Sequence, residues 1–186
     1  MSDETASGAA GEPSFSVATP AGDDRPRRIC DSCGFVDYVN PKIVAGALVA
    51  DEAGRLLMCR RAIEPRKGFW TLPAGYLEEG ESVDAGARRE AWEEARVVIE
   101  TTDLLAVYSI PRISQVQLFF RARMIEPGYA AGPESEEVAF FAYEDMPLDA
   151  LAFPSVRWAI EDWRAKAGER VIAPVMRAQG EDNVPY

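Results

Sequence analysis

A chain of 186 residues, 47% of them hydrophobic, holds enough material for one packed domain with extensions. Its net charge of −11 argues against a general nucleic-acid or anionic-membrane surface, but leaves room for a small phosphorylated substrate whose charge a bound cation would meet. There is no histidine, so mechanisms needing an imidazole are closed; no apolar run is long enough to span a bilayer, and three cysteines without a basic-then-apolar leader point to a reducing, cytoplasmic setting.

Residues 1–26 are dominated by Ser, Ala, Gly, Pro, Asp and Glu, and are expected to lack structure. Arg25-Pro26-Arg27-Arg28 reads as a solvated linker. Cys30-Asp31-Ser32-Cys33-Gly34 follows, in a segment 27–41 read as a short β-turn. A C-x-x-C knuckle supplies two ligands where a structural zinc wants four, and the remaining cysteine, Cys59, lies in an expected strand. Zinc held within one chain is therefore not expected. A site shared across a dimer stays open.

The main domain is expected over 42–168. Lys42–Ala50 is a β-rich apolar run, Asp51–Gly54 a turn and Arg55–Arg60 the return strand. Arg60, Arg61, Arg66 and Lys67 cluster before Trp70, and arginine matches phosphate bidentately. Trp70 and Tyr76 offer rings to stack on a base. Core packing for Trp70 and a solvated turn for Arg66-Lys67 are the plain alternatives. Trp70–Gly75 forms a short strand and loop.

Gly75–Val97 carries the strongest chemical signal. Ser82 is placed to cap a helix, with Asp84 in its first turn. At 100° per residue, Glu90, Glu93 and Glu94 fall within an arc of about 100°. Carboxylates so close repel one another unless something positive lies between them, and Mg²⁺ uses such groups together with substrate phosphates. A solvated acidic face with i,i+4 partners is the alternative. Ala87, Ala91 and Ala95 form a small-residue stripe suited to lying close on a sheet. Beyond the helix, Leu104–Ile110, Val116–Met124 and Val138–Tyr143 read as strands. Tyr129–Pro133 is a Gly/Pro loop leading into Glu134-Ser135-Glu136-Glu137. Ser155–Trp163 reads as a helix, with Val156, Ala159, Ile160 and Trp163 at core spacing. The tail 169–186 shows no pattern. The order of elements predicts an α/β sandwich.

The spacing Gly75, Glu81, Arg89-Glu90, Glu93-Glu94 resembles the Nudix box, the signature of the Nudix hydrolases. One position departs: the family's glycine near the end of the box is Arg96, which predicts a helix end of different geometry. The resemblance implies an α/β/α sandwich with a mixed β-sheet between helices. It also implies Mg²⁺ or Mn²⁺ held by Glu81, Glu90, Glu93, Glu94 and the Ala74 carbonyl. Arg89 then orients the carboxylates, and the general base is a box glutamate (Glu93 or Glu94) or a loop acid (Glu134 or Glu137). Arg60, Arg61, Trp70 and Tyr76 are the candidate substrate contacts.

Tyr38 through Asn40-Pro41-Lys42, Arg60-Arg61-x-Ile63-Glu64-Pro65, Gly68-x-Trp70-Thr71-Leu72-Pro73 and Gly132-Pro133-Glu134-Ser135 resemble the subgroup of FAD and ADP-ribose diphosphatases. Cys30 to Pro41 resembles the second half of that subgroup's zinc ribbon. The resemblance implies cleavage of a small nucleotide substrate at its diphosphate, FAD narrowly ahead of ADP-ribose. Many members pair as dimers, which leaves a homodimer open. A non-catalytic sensor of ADP-ribose or a nucleotide is the rival, supported by Arg96.

Overall fold

The computed structural model describes residues 12–170 and the strand Val175–Ala178. They fall into two compact units divided after Asn40. In the first, β1 (Phe15–Ala18), β2 (Arg27–Cys30) and β3 (Val36–Asp37) form an antiparallel sheet in that order. Residues 15–18 thus correct the expectation of an unstructured 1–26; residues 1–11 lie outside the described residues. The physical reason is local pairing. Phe15 and Val17 carry β propensity, the full register Phe15↔Cys30 to Ala18↔Arg27 is satisfied, and the Arg28 guanidinium sits 4.6 Å from the Phe15 ring centre. Arg27 and Arg28 are accordingly strand residues rather than linker, paired with Asp23 at 2.9 Å and Asp37 at 3.4 Å. The Cys30–Cys33 knuckle closes on itself. The Gly34 N–H donates to the Cys30 carbonyl at 2.9 Å, and Gly34 takes a positive φ of 74°.

The second unit is an eight-stranded mixed sheet. Its strands are β4 (Lys42–Ala50), β5 (Leu56–Arg61), β6 (Trp70–Thr71), β7 (Ala74–Tyr76), β8 (Ile99–Ile110), β9 (Gln115–Met124), β10 (Ser135–Phe141) and β11 (Val175–Ala178). The order is β10-β5-β4-β9-β8-β11, with β6 beside β5 and β7 beside β4. β4 runs parallel to β9 from Lys42↔Gln115 to Ala50↔Arg123, and antiparallel to β5 and β7. β11, from the tail without a sequence pattern, adds parallel to β8. The rest of that tail, 171–174 and 179–186, lies outside the described residues.

Alternation along the strands decides which helix covers which face. Ala47 and Val49 of β4, Leu57 and Cys59 of β5 and Ala122 of β9 pack against Ala91 and Ala95 of α1 (Val83–Ala95). Leu48, Leu56, Met58 and Phe119 point the other way, onto Val156, Trp158, Ala159 and Ile160 of α2 (Pro154–Ala165). The sheet therefore lies between two helices, an α/β/α sandwich. Alanine at 87, 91 and 95 lets α1 lie close to the sheet, and all three are fully buried. That close approach brings the glutamates of α1 over the ends of β7 and β5.

Candidate active site

α1 begins after Ser82, whose backbone has the N-cap conformation (φ −77°, ψ 151°) but whose hydroxyl makes no cap bond. It donates instead to the Asp84 carboxylate at 2.6 Å, which with the Arg88 ion pair holds the Asp84 carboxyl down at about 2. The other end overturns the expectation of altered geometry. Arg96 takes the left-handed conformation, φ 51° and ψ 32°, and its N–H donates to the Trp92 carbonyl at 3.0 Å. The arginine tolerates a glycine-like φ while its guanidinium lies 5.5 Å from the Trp92 ring centre.

Between those ends, Arg89 ties the acidic face together. Its Nε and Nη2 donate to the two oxygens of Glu81 at 3.0 and 3.1 Å. Its Nη1 donates to Glu90 at 2.7 Å and Glu93 at 3.0 Å, and its Nη2 also reaches the Tyr76 carbonyl at 2.9 Å. The bidentate bond to Arg89 holds the Glu81 carboxyl below its ordinary value, and the same bonds raise the Arg89 pKa. Glu90 and Glu94 are buried, 8% and 5% exposed. Burial raises the Glu90 pKa against the pull of Arg89. Burial first, then the Glu90 charge, pushes Glu94 up to about 8, opposed by the Ala74 N–H that donates to it at 3.3 Å and by the Arg61 charge.

Glycines shape the surroundings. A Cβ on Gly75 would fall on the Glu90 carboxylate, and one on Gly132 would strike the Glu93 carbonyl. At Gly132 the obstacle is backbone, whereas at Gly75 it is a side-chain end that a methyl would push aside. The Ala130 and Gly132 N–H groups donate to the Ala95 and Glu94 carbonyls, each at 2.9 Å, so the 129–133 loop closes the exposed end of α1. The chain then turns to bring Glu134 back to β5, where its carbonyl accepts from the Ala62 N–H at 2.7 Å.

These groups line one wall of a cavity of about 1160 Å³. Ala74, Gly75, Arg89, Glu90, Glu93 and Glu94 are there, with Arg61, Tyr76 and Glu134 from the sequence candidates. Glu81 stands behind Arg89 and does not line it. Three candidates lie elsewhere. Trp70 packs edge-on against Phe141, ring centres 4.9 Å apart, on the core below α2; its carbonyl accepts from the Ala152 N–H at 2.8 Å and so fixes the opposite wall. Arg60 turns away to the Gly68 carbonyl (3.0 Å) and to Glu136 and Glu137 (3.7 Å each). Glu137 is thereby paired on the outside of the sheet, and Glu134 alone of the loop acids reaches the cavity.

The sequence reading missed that opposite wall, made by Phe153, Arg157 and Trp158 at the start of α2 and by Ile113, Gln115 and Gln117 around the start of β9. The Arg61 guanidinium lies 5.4 Å from the Phe153 ring centre while its Nε donates to the Pro65 carbonyl at 2.8 Å. Polar residues at alternate positions in an apolar strand, Gln115 and Gln117, were the available signal.

The donor set suits a hard divalent cation. Glu90, Glu93 and Glu94 line the cavity, Glu90 and Glu94 are buried against their own charge, and Gly75 leaves space beside Glu90 that a side chain would fill. Among the described residues no three acidic or thiol side chains form a closed cage, because Arg89 occupies Glu81, Glu90 and Glu93. A hard cation that takes few carboxylates would complete its shell there with water and substrate phosphate.

Comparison with known proteins agrees with the geometry. The NUDIX domain family model matches residues 40–162, and the Nudix N-terminal model matches residues 11–39. The ADP-ribose pyrophosphatase of Methanocaldococcus jannaschii is 30% identical over 120 residues, 62% of this chain and 69% of that protein. The NAD-capped RNA hydrolase NudC of Chromobacterium violaceum is 33% identical over 128 residues, 69% of this chain but only 46% of that protein. The chain thus spans about half the length of that relative. The crystal structure of a NUDIX hydrolase from Nitrosomonas europaea superposes with a TM-score of 0.82 at 35% identity, covering 90% of this chain and 96% of that one.

Proposed function

This chain belongs to the Nudix family, and from that premise we propose that it is a metal-dependent pyrophosphohydrolase cleaving the diphosphate of a nucleoside diphosphate linked to a second moiety. The observation that carries the reading is the set Glu90, Glu93 and Glu94 on one face of α1, the first two held by Arg89 and all three lining a cavity of about 1160 Å³. ADP-ribose is the first substrate, in keeping with the name of the methanocaldococcal relative. FAD, which shares the AMP half, is the second. The sensor reading loses its support with Arg96, whose backbone holds the helix end in the left-handed form a glycine would take.

In this reading water attacks one phosphorus, a new P–O bond forms, and the bridging P–O bond breaks to leave two phosphate monoesters. Such chemistry is mainly positioning and charge stabilisation. Glu90, Glu93 and Glu94, with the Ala74 carbonyl, would hold Mg²⁺ or Mn²⁺, which neutralises phosphate charge and acidifies a bound water. Glu81 anchors Arg89, and Arg89 orients Glu90 and Glu93. Glu134, the loop acid in the cavity, would take the proton from water. Arg61, fixed between Pro65 and Phe153, meets the substrate phosphates.

The test is a panel of ADP-ribose, FAD, NADH and the four dNTPs with Mg²⁺, repeated in EDTA and compared by kcat/KM. The expected result is AMP release from ADP-ribose and FAD that EDTA abolishes. A dNTP leading by about tenfold would move the protein to a different substrate class.

A further inference from the structure

The strand register lays a polar ladder across the cavity floor. Val44 pairs with Tyr76 on one side and Gln117 on the other, so the three stand in one row over β7, β4 and β9. Gln115 stands two residues earlier on the same face of β9. The Gln117 Nε2 donates to Gln115 Oε1 at 3.1 Å, and the Gln115 Nε2 donates to the Tyr76 hydroxyl at 2.9 Å. The Lys42 ammonium lies 4.9 Å from the Tyr76 ring centre, holding the outer end of the ladder.

The inner end is unfinished. Gln117 lines the cavity, is only 9% exposed, and its Oε1 is buried without a donor among the described residues. Native folds leave few such atoms, and each calls for an explanation. Turning over Gln117 alone would break its bond to Gln115, so with Gln115 donating to the Tyr76 hydroxyl the group left facing the cavity is the Oε1 acceptor. Val44, the register partner of Gln117, lines the cavity beside it, as do Ile113 and Trp158 together with Arg112 and Arg157. A buried carbonyl acceptor beside apolar and aromatic side chains suits a heteroaromatic ring that brings an N–H donor.

We propose that Gln117 is the residue that selects the substrate's base, its Oε1 accepting from the exocyclic amine of a 6-aminopurine nucleotide. A 6-oxopurine would set carbonyl against carbonyl at that point and leave both unpaired. The identity of the ligand rests on the diphosphatase reading above, but the base selection does not depend on bond cleavage.

The experiment therefore reads binding and turnover separately. ADP-ribose and its hypoxanthine counterpart are titrated calorimetrically in EDTA, then compared by kcat/KM with Mg²⁺. The wild-type chain is measured beside Q117M, which keeps the volume without the carbonyl, and Q117E, which restores an acceptor. The wild type should prefer the 6-amino compound by about tenfold or more in both readouts, since a site built to hydrogen-bond a group rejects the analogue lacking it. Q117M should bring the two compounds within about threefold by weakening the 6-amino compound alone, and Q117E should recover the preference. A wild-type preference below about threefold overturns the proposal even if Q117M does not fold, as does a preference that survives in Q117M. Selective binding without hydrolysis would sink the diphosphatase reading and leave the base selection standing. Hydrolysis of both compounds alike would do the reverse.

Discussion

At Gly75 the absent side chain is the functional feature. A methyl there would occupy the position of the Glu90 carboxylate, which Arg89 holds at 2.7 Å. The G75A variant should therefore fold, because the carboxylate is the end of a flexible side chain, yet move Glu90 off its place. A displacement of that order costs about a hundredfold in turnover. Thermal melting within about 3 °C of wild type together with kcat/KM down about a hundredfold is expected; unchanged kcat/KM would show that Glu90 need not sit where Arg89 holds it. Arg96 is the opposite case, a side chain where glycine would be easier. The left-handed backbone costs about 1 kcal/mol and the Trp92 contact returns roughly half of that at an exposed site. R96G should be slightly more stable than wild type, by about 0.5 kcal/mol, and R96A less stable by a similar amount, since alanine keeps the strain and loses the ring contact. Denaturant melts giving R96A as the most stable of the three would remove this account of the helix end.

At the scale of the element, α1 holds charge that its surroundings disfavour. The Glu94 pKa is raised to about 8 by burial and by Glu90, far above its value in an unfolded chain. Between about 4.5 and about 8 the folded state binds the extra proton, so metal-free stability falls as pH rises through that window. The acids with lowered pKa, Asp84 and Glu81, act the other way: their stabilisation is present above their ordinary values and is lost as pH falls through the lowered ones. The two effects separate near pH 4. In EDTA the wild-type melting temperature should fall from pH 5 to pH 8, whereas E94Q should be flatter and more stable at pH 8 by roughly 2 kcal/mol. The same variant should lose about a hundredfold or more in turnover with Mg²⁺. Parallel melting profiles for the two proteins would mean that Glu94 is not the group under strain. This helix was the legible part of the site, because Glu90, Glu93, Glu94 and Arg89 act at fixed helical spacing and Ala87, Ala91 and Ala95 mark the buried side. The facing wall was not. Phe153 caps α2, Arg157 and Trp158 share that helix with Val156, Ala159 and Ile160, and only the placement of α2 decides which of them meets the cavity. Trp70, Arg60 and Glu137 do not line the cavity for a related reason: Trp70 packs on Phe141, and Arg60 and Glu137 pair with each other.

For the molecule as a whole, the unit before Pro41 raises a separate chemical question. It matches the Nudix N-terminal model over residues 11–39, and it folds as three strands around the Cys30–Cys33 knuckle. The sequence has one other cysteine, Cys59, buried under α1 in the second unit, and no histidine. Within the knuckle, Cys30 is buried with its sulfur 3.1 Å from the Ser32 hydroxyl, and Cys33 is exposed. Hydrogen bonds, led by that from Ser32, lower the Cys30 thiol to about 7, so a thiolate is available near neutral pH. Two sulfur ligands are still half of a structural zinc set, and among the described residues no third acidic or thiol group joins them. The unit instead has its own supports: the β1–β2 register, the Asp23–Arg27 pair at 2.9 Å and two arginine–ring contacts. Purified protein should therefore carry well under one zinc per chain after a chelator wash, and the wash should leave its melting temperature unchanged. Elemental analysis giving one zinc per chain would overturn this, since two ligands and waters do not survive chelation. Half a zinc per chain in a dimer would show that two knuckles complete one tetrahedral site between copies, and C33S would then lose the metal and the dimer together.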